Sequence, residues 1–461
     1  MTDRKEMLFT NKALMRIILP LALQGILAVA IGMVDSMMIS GKGEAAFAGV
    51  SLIGSLDTVL ITLFTSLASG GSVVLAQALG RGDRDRACAA AKQLTYLATA
   101  VAALITATVL IFRVPLLRLL FGEVEESVMK NALDYFFFMA MSFPFLAIQN
   151  SAAAILRAQG NSMISLITSI FMNVVNIGGN AILIYGVNLG SAGAAIATLF
   201  SRVVGAVVML FVVMSPKRQI HIRKLFRYRP DWGILKAIMR IGIPNGVEDS
   251  MFQAGRLVTA SLISTLGTAS IAANAAVLQL ANFQYTVGGS IQGTKIAVVG
   301  RCVGAEKPEQ AKHYAWKLLG IGCVMVFLTD VILCLLSSPL LGLFHLTPDA
   351  FELARQLLFY HSLISVILWT VAFCLPSSFR AAGDVRFTMV IAVFSMWLFR
   401  VASAYVFALE TVSVFGLFSF PGLGFGLFGV YFAMTLDWFF RAAVFLGRLI
   451  SKKWLTKYRK M

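Results

Sequence analysis

The stretch Pro20–Glu44, PLALQGILAVAIGMVDSMMISGKGE, is an apolar run of helix length that contains one carboxylate, Asp35. Placing an ionised carboxylate at the centre of a bilayer costs roughly 2.5–3.5 kcal/mol even on the scale derived from membrane insertion. Acids in membrane-spanning segments therefore usually serve transport or proton transfer, and the structural alternative is a hydrogen bond between packed helices. Whether this run crosses a membrane is decided by the rest of the chain.

The composition is that of a membrane protein. The chain has 461 residues, of which 58% are hydrophobic and 13% are charged, whereas soluble domains are about half apolar and a quarter charged. Apolar runs of about 20 residues, the length that crosses a bilayer, recur along the whole chain. We therefore predict an all-α polytopic membrane protein. The first run is too long for the apolar region of a signal peptide, so we expect it to be retained as a span.

The distribution of basic residues predicts the topology. Twelve spans are expected, near 14–40, 47–79, 88–112, 131–156, 162–186, 189–214, 237–265, 270–300, 314–338, 355–379, 386–410 and 424–449. With a cytoplasmic N-terminus, 30 of the 39 Lys and Arg residues lie on the inner side, five on the outer side and four within spans. Because Lys- and Arg-rich loops stay in the cytoplasm, both termini are predicted to be cytoplasmic. We expect a monomer in the cell (cytoplasmic) membrane.

A basic segment divides the chain. Residues 215–236, SPKRQIHIRKLFRYRPDWGILK, separate an N-terminal lobe, 1–214, from a C-terminal lobe, 237–461, that ends in a second basic tail. The net charge of +17 would suggest nucleic acid in a soluble protein, but here the basic residues lie between spans and no recognition fold surrounds them. We predict a basic cytoplasmic linker, with an amphipathic strip on anionic lipid as one form of it, and no nucleic-acid partner.

The two lobes are related by an internal repeat. Pro20 aligns with Pro244 at an offset of 224 residues, and LRAQG at 156–160 aligns with FRAAG at 379–383 at an offset of 223. The last span of each lobe aligns with the other at an offset of 236, with the extra residues in the outer loop around 411–423. Six spans per repeat place both lobes in the membrane in the same sense, related by a pseudo-two-fold axis along the membrane normal. Such a pair of bundles suits alternating access.

The sequence offers little for enzyme chemistry. The five cysteines and four histidines are scattered without ligand-like or CxxC spacing, so neither a transition-metal site nor a disulfide is predicted. The literal dinucleotide and phosphate-loop patterns at 424–429 and 288–295 fall in apolar spans without a preceding strand. We predict no enzyme activity and no cofactor.

Several motifs together resemble those of the multidrug and toxic compound extrusion (MATE) transporters of bacteria. They are LPLALQ at 19–24, MVDSMMISGKGEAAFAG at 33–49, LASGGSVVLAQALGRGDRDRA at 67–87, LRAQGN at 156–161, GIPNGVEDSMFQAGRL at 242–257, LGTASIAANA at 266–275, VVGRCVGAEKPEQA at 298–311 and FRAAGD at 379–384. The resemblance covers nearly the whole chain. It implies an antiporter that exports organic, cationic and amphipathic compounds, with Na+ or H+ entering in exchange.

The resemblance also implies a cation site in the first lobe. Carried over by position, this site comprises Asp35, Asn176, Asn180 and Thr198. One carboxylate, two amide oxygens and a hydroxyl can replace part of the hydration shell of Na+, and the same acid alone can carry a proton. Asn180 stands where one subgroup of the family has a second aspartate, so a relay between two carboxylates is not expected here.

The second lobe differs at these positions. Asp35 aligns with Thr259, and the acids of span seven are instead Glu248 and Asp249. We consider Glu248 and Asp249, with Arg256 and Lys295, as a candidate second-lobe or cleft site. One interpretation is that the acids line the cleft and attract cations, and the other is that they form internal ion pairs with Arg256 or Lys295. Asp57 and Asp437 are lesser candidates, and Asp330 is expected at the membrane interface.

The main alternative function is that of a lipid-linked oligosaccharide or lipid flippase of the same superfamily. A flippase for anionic head groups is expected to line its cleft with several basic residues, whereas this chain has similar numbers of acids and bases within its spans. A membrane enzyme would need paired carboxylates or His clusters at the membrane face. The sequence therefore favours a transporter of small organic cations.

Overall fold

The computed structural model describes residues 7–122, 124–223, 227–414 and 418–455. In this part of the chain we number twelve long helices, counting a helix and its π-helical or short helical continuation as one. They are α1 Asn11–Ser40, α2 Glu44–Gly80, α3 Arg84–Phe121, α4 Glu126–Ala158, α5 Met163–Asn180 continued by Ala181–Gly186, α6 Gly190–Met214, α7 Trp232–Ser264, α8 Thr268–Gly304, α9 Pro308–Leu335, α10 Pro348–Ile364 continued by Ser365–Cys374 and Pro376–Ala381, α11 Val385–Ser395 continued by Met396–Ala402 and Ser403–Ala408, and α12 Gly426–Ile450. A short helix, Ser337–Gly342, precedes α10.

The helices confirm the polytopic all-α prediction. Ten of the twelve described helices are long and apolar enough to cross a membrane by length and composition. The other two, α7 and α8, are 33 and 37 residues long but more polar. Glu248, Asp249 and Arg256 lie in α7, and Lys295 lies in α8. The two less apolar helices are thus those that carry the candidate charged residues of the second half.

Helix ends follow local sequence signals that recur in the two repeats. The corner before α2 and the corner before α8 each use a glycine, Gly43 with φ 106° and Gly267 with φ 95°. Residues with a side chain rarely adopt this left-handed region, so both corners depend on glycine. Side-chain caps close other helix starts: Thr10 Oγ1 accepts from Ala13 N, and Asp83 Oδ1 accepts from Arg86 N.

The chain forms two compact units. One is Phe9–Gly246, here called the first unit, and the other comprises the described residues of Met1–Leu8 and Val247–Met461, here called the second unit. The division falls within α7, whose first part packs in the first unit. There the backbones of α2 and α7 approach closely: a Cβ on Gly70 would lie 2.8 Å from Ile238 O and from Gly242 N. Glycines at this crossing allow the two helices to touch, as small residues do between membrane helices.

Part of the linker packs in the core of the first unit. Ile220 and Ile222 are fully buried in the first unit's core, next to alanines of α3 and α4. Gln159 exchanges two hydrogen bonds with the Ile220 backbone, and Arg84 donates to Gln219 O at 2.8 Å. Ile220 and Ile222 are thus buried, whereas Trp232 is 73% exposed, and the sequence pattern alone could not distinguish these two environments. Residues 224–226 of this segment and 456–461 of the basic tail lie outside the described residues.

The loop at 411–423, predicted to be an outer loop, contains a small hairpin, an addition to the expected all-helical architecture. Strand β1, Thr411–Val414, pairs antiparallel with β2, Phe418–Pro421, in the register Thr411 with Pro421 and Val414 with Phe418. Val412 in β1 is buried. The hairpin connects α11 to α12 and accounts for much of the offset between the last spans of the two repeats.

Candidate functional site

Asp35 lies about one turn before the end of α1 and is half-buried in the first unit. Asn180, almost completely buried at the end of the α-helical part of α5, donates from Nδ2 to Asp35 Oδ1 at 2.8 Å. In the described part of the chain, no Lys, Arg or His side chain is within ion-pair distance of Asp35. The carboxylate is therefore hydrogen-bonded by an amide but has no protein cation beside it.

A second amide completes the group. With the Asn176 amide turned so that its nitrogen faces Asp35, Nδ2 lies 3.0 and 3.2 Å from the two carboxylate oxygens, and its oxygen lies 3.2 Å from Thr198 Oγ1. Thr198 Oγ1 is also 2.9 Å from the carbonyl oxygen of Ala194. The structure thus brings together all four residues predicted for the first lobe, Asp35, Asn176, Asn180 and Thr198. They come from α1, α5 and α6.

One acceptor beside the carboxylate is unused. Asn180 Oδ1 is buried and has no hydrogen-bond partner among the described residues. A buried polar atom without a partner costs about 1–3 kcal/mol, so such atoms call for an explanation. An oxygen left free next to a carboxylate is a suitable ligand for a small hard cation. Asn176 and Asn180 are one helical turn apart, which places both on the same face of α5.

The local backbone at this site was not anticipated. Directly after Asn180, α5 changes to π-helical geometry over Ala181–Gly186. A π turn holds one more residue than an α turn and is frequent at functional sites. This change ends the α-helical register at the residue that contacts Asp35.

Arg202 and Asp57, two charged residues of the first unit, neutralise each other. Arg202 Nη2 is 3.2 Å from Asp57 Oδ2, and Arg202 Nη1 donates to Ser142 Oγ at 2.7 Å. Both charged side chains are about one-eighth exposed. This ion pair accounts for Asp57, a lesser candidate from the sequence, whereas Asp35 has no such partner among the described residues.

In the second unit, the predicted group of four residues does not form one site. Glu248 and Asp249 line a cavity of about 150 Å³ together with Arg380 and Arg441. Glu248 Oε1 is 2.5 Å from Arg380 Nη2. One interpretation paired the acids with Arg256 or Lys295. In the structure, Glu248 of α7 instead pairs with Arg380, which follows the π segment of α10.

The two predicted cations lie elsewhere. Arg256 lines a different cavity, together with Arg400. Lys295 is fully buried in α8, and its Nζ has no hydrogen-bond partner in the described part of the chain. Neither residue lines the cavity that holds Glu248 and Asp249. The four residues were considered as one candidate site, but Arg256 lies about 12 Å further along α7 than Glu248 and lines the other cavity.

Two further acids are internally bonded. Asp437 Oδ1 accepts from Arg441 Nε at 2.7 Å and from Ser395 Oγ at 2.5 Å, inside α11 and α12. Asp330, expected at the membrane interface, is 3% exposed and accepts from Ser365 Oγ at 2.7 Å. Asp330 is buried because α9 extends to Leu335 and packs this residue against α10, and its depth in the membrane stays a prediction. Within the described residues, no group of three or more His, Cys, Asp or Glu side chains suits a metal ion.

The repeated helices and the lone carboxylate define a polytopic membrane transporter. A family model for MatE matches residues 20–182 and 244–406, and the chain therefore belongs to the MatE family, the multidrug and toxic compound extrusion transporters. The two matched ranges start at 20 and 244 and end at 182 and 406, which reproduces the repeat offset of 224. The family resemblance seen in the motifs is thereby confirmed.

Similar proteins cover nearly the whole chain. It is 26% identical over 448 residues to "Uncharacterized transporter YisQ" of Bacillus subtilis, covering 95% of this chain and 94% of that protein. It is 25% identical over 460 residues to "Probable multidrug resistance protein NorM" of Thermotoga maritima, covering 98% and 94%. The fold also matches a solved structure described as the outward-facing conformation of a multidrug resistance MATE family transporter, with TM-score 0.87, 21% identity and coverage of 97% and 96%.

Proposed function

We propose that the protein is a secondary active multidrug efflux antiporter that exports organic, cationic, amphipathic compounds by alternating access. Na+ or H+ enters in exchange through the group formed by Asp35, Asn176, Asn180 and Thr198. The protein acts as a monomer in the cell membrane with both termini in the cytoplasm. Family membership and the NorM relatives support multidrug efflux.

The coupling role is inferred from the groups that surround the Asp35 carboxylate. It is an acid in a membrane-spanning helix, hydrogen-bonded by Asn180 at 2.8 Å and without a protein cation within ion-pair distance in the described residues. Its charge must therefore be neutralised by something from solution, either a proton or a cation. Binding of that ion removes a buried negative charge, which changes the relative stability of conformations that differ in how this site is exposed.

The flippase alternative is less well supported by the charges around the cavity that Glu248 and Asp249 line. Arg380 is paired with Glu248 and Arg441 with Asp437, so neither presents a free positive charge to an anionic head group. Efflux of small molecules remains the function that the geometry favours.

The coupling proposal is tested by transport in proteoliposomes. Uptake of a fluorescent organic cation is followed for the parent, for Asp35→Asn, and for Asp85→Asn, which removes an exposed acid from the start of α3. Each variant is measured under an imposed Na+ gradient and, separately, under a pH gradient. We expect one gradient to drive the parent and Asp85→Asn, and Asp35→Asn to lose at least about tenfold, because the isosteric amide cannot release or bind the coupling charge.

Other outcomes have defined meanings. If Asp35→Asn is driven as well as the parent, Asp35 is a packing residue and the coupling proposal fails. If neither gradient drives the parent with any organic cation, antiport fails and the flippase alternative is next to be tested.

A further inference from the structure

A second cavity, in the second unit, has the properties of an anion site. It has a volume of about 50 Å³ and is lined by side chains of α7, α8, α11 and α12, among them Arg256 and Arg400. Its described lining contains no acidic side chain. We propose that this cavity binds the carboxylate of an amphipathic compound. Since one water takes up about 30 Å³ in the liquid, the cavity suits a small charged group and leaves the rest of the compound outside.

Arg400 is buried and only partly compensated, by Asp437 and by the ring of Phe252, whose centroid lies 5.4 Å from its Cζ. The residue is 8% exposed, and its Nε has no hydrogen-bond partner in the described part of the chain. Its nearest acid is Asp437, at 3.8 Å from Nη1 to Oδ2. Asp437 is already held by Arg441 and Ser395 through its other oxygen. A buried cation is costly unless it is paired and hydrogen-bonded, so Arg400 retains unused capacity for an anion.

Arg256 adds a second positive charge to the same cavity. It is an exposed residue on α7, and no described acid is within ion-pair distance of it. Two guanidinium groups at one cavity repel each other. An anion between them adds two attractions, each over a shorter distance than the repulsion. The planar carboxylate matches the fork of donors on a guanidinium, which favours this group over a monovalent halide.

A neutral donor is available beside the arginines. Asn274, also in the lining, accepts a hydrogen bond at Oδ1 from the Tyr431 hydroxyl at 3.2 Å. This bond orients the amide, and its Nδ2 has no hydrogen-bond acceptor among the described residues. The cavity therefore combines two cationic forks with one oriented N–H donor, and all three favour an acceptor with full negative charge.

The position of the cavity in the repeat supports a binding role. At an offset of 224, Thr259 in the lining is the counterpart of Asp35. At offsets of 223–224, Arg400 is the counterpart of Asn176 or of the next residue. Arg400 lies in a π-helical part of α11, Met396–Ala402, and the Asp35 site also adjoins a π segment. The same place in the two repeats thus carries opposite charge.

This inference deepens the proposed function because it assigns a binding site to amphiphiles that carry a carboxylate. It rests on the proposed function only in the assumption that the bound compound is also transported. The test is equilibrium binding without any ion gradient. Its failure is therefore distinct from failure of coupling at Asp35.

The experiment compares a matched pair of dyes with the purified full-length protein in neutral detergent at low salt. Rhodamine B carries a free carboxylate at neutral pH, and its ethyl ester has the same cationic ring system without the negative charge. Binding is followed by fluorescence anisotropy for the parent, Arg256→Gln, Arg400→Gln and the control Arg355→Gln, an exposed arginine paired with Glu352. We expect the parent and the control to bind the acid about tenfold more tightly than the ester.

The variants should remove this preference selectively. Arg256→Gln, at an exposed position, is expected to bind the ester as the parent does and to lose about tenfold for the acid. Arg400→Gln is expected to do the same, and its thermal unfolding confirms that it is folded. Equal binding of acid and ester by the parent, or equal weakening of both dyes by Arg256→Gln, would overturn the proposal. Displacement of the acid by phosphatidylglycerol, with no difference between acid and ester, would assign the site to a lipid phosphate and also overturn it.

Discussion

The amides around Asp35 can present either end to a ligand. In the structure, Asn180 donates an N–H to the carboxylate, and Asn176 is placed to do the same. An amide that turns by half a rotation presents its oxygen instead, because its oxygen and nitrogen are nearly the same size. Amide donors thus hold the carboxylate in this structure, and a bound cation would be held by oxygens. Asn180 Oδ1, which has no partner within the described residues, is the first such oxygen available.

Replacing Asn180 should weaken ion binding more than it affects folding. Asn180→Ala removes the 2.8 Å bond to Asp35 and the unpartnered oxygen together. A hydrogen bond to a charged group contributes about 1.5–3 kcal/mol, so we expect the ion concentration for half-maximal transport to rise roughly tenfold to a hundredfold. The measurement is the ion dependence of dye transport in proteoliposomes. Asn173→Ala, which removes the third amide of α5, is the control and should leave this concentration within about twofold. Equal effects of the two substitutions would contradict a role for Asn180 in ion binding.

At the residue scale, the sequence predicted the contents of the first site but not those of the second. Asn176 and Asn180 share a helix face, so one contact with Asp35 brings both amides into place. The pairing of Glu248 with Arg380 joins residues that are 132 positions apart. It depends on the rotation of α10 after its π segment, and nothing in the periodicity of an apolar span records that rotation.

Among the helices, the π segments are a feature that the sequence did not predict. They occupy Ala181–Gly186 in α5, Ser365–Cys374 in α10 and Met396–Ala402 in α11. Each π turn shifts the following residues around the helix axis relative to an α-helical projection. In a soluble amphipathic helix such a shift would break the apolar stripe, but a span that is apolar on all sides tolerates it without a visible change in pattern. Helix lengths and order are therefore predictable here, whereas facing is not.

The crossing of α2 and α7 gives a prediction about packing in the first unit. A Cβ on Gly70 would lie 2.8 Å from backbone atoms of Ile238 and Gly242, closer than side-chain carbons are found. Because backbone cannot move aside as a flexible side chain does, Gly70→Ala must separate the helices and should cost about 1–3 kcal/mol. The measurement is thermal unfolding in detergent. Gly54→Ala, in the same helix with nothing within 4 Å of the added carbon, is expected to be neutral or to stabilise by up to about 1 kcal/mol. Equal unfolding temperatures for the two variants would show that the crossing is not tightly packed.

At the scale of the whole molecule, the hydropathy and the repeat determined most of the outcome. Twelve long helices follow in the described chain, and the family model matches two ranges at the predicted offset. These features come from the solvent, since every backbone group in hydrocarbon must be bonded within its own helix. The division into compact units falls at Gly246–Val247, within α7. The boundary of the lobes at 215–236 stays a prediction, and so does the orientation in the membrane.

Orientation follows from the distribution of charge and can be tested with a matched pair of sites. Asp85 and Glu126 are exposed acids in the first turns of α3 and α4. With a cytoplasmic N-terminus, the helix between them places Asp85 inside and Glu126 outside. The bias of 30 inner against five outer Lys and Arg residues makes the opposite orientation costly.

Each position is changed to cysteine in a background from which Cys88, Cys302, Cys323, Cys334 and Cys374 have been removed. We expect a membrane-impermeant maleimide to label Glu126→Cys in intact cells and Asp85→Cys only after permeabilisation. The reverse pattern would contradict the predicted orientation and would place the end of α1 that carries Asp35 on the cytoplasmic side.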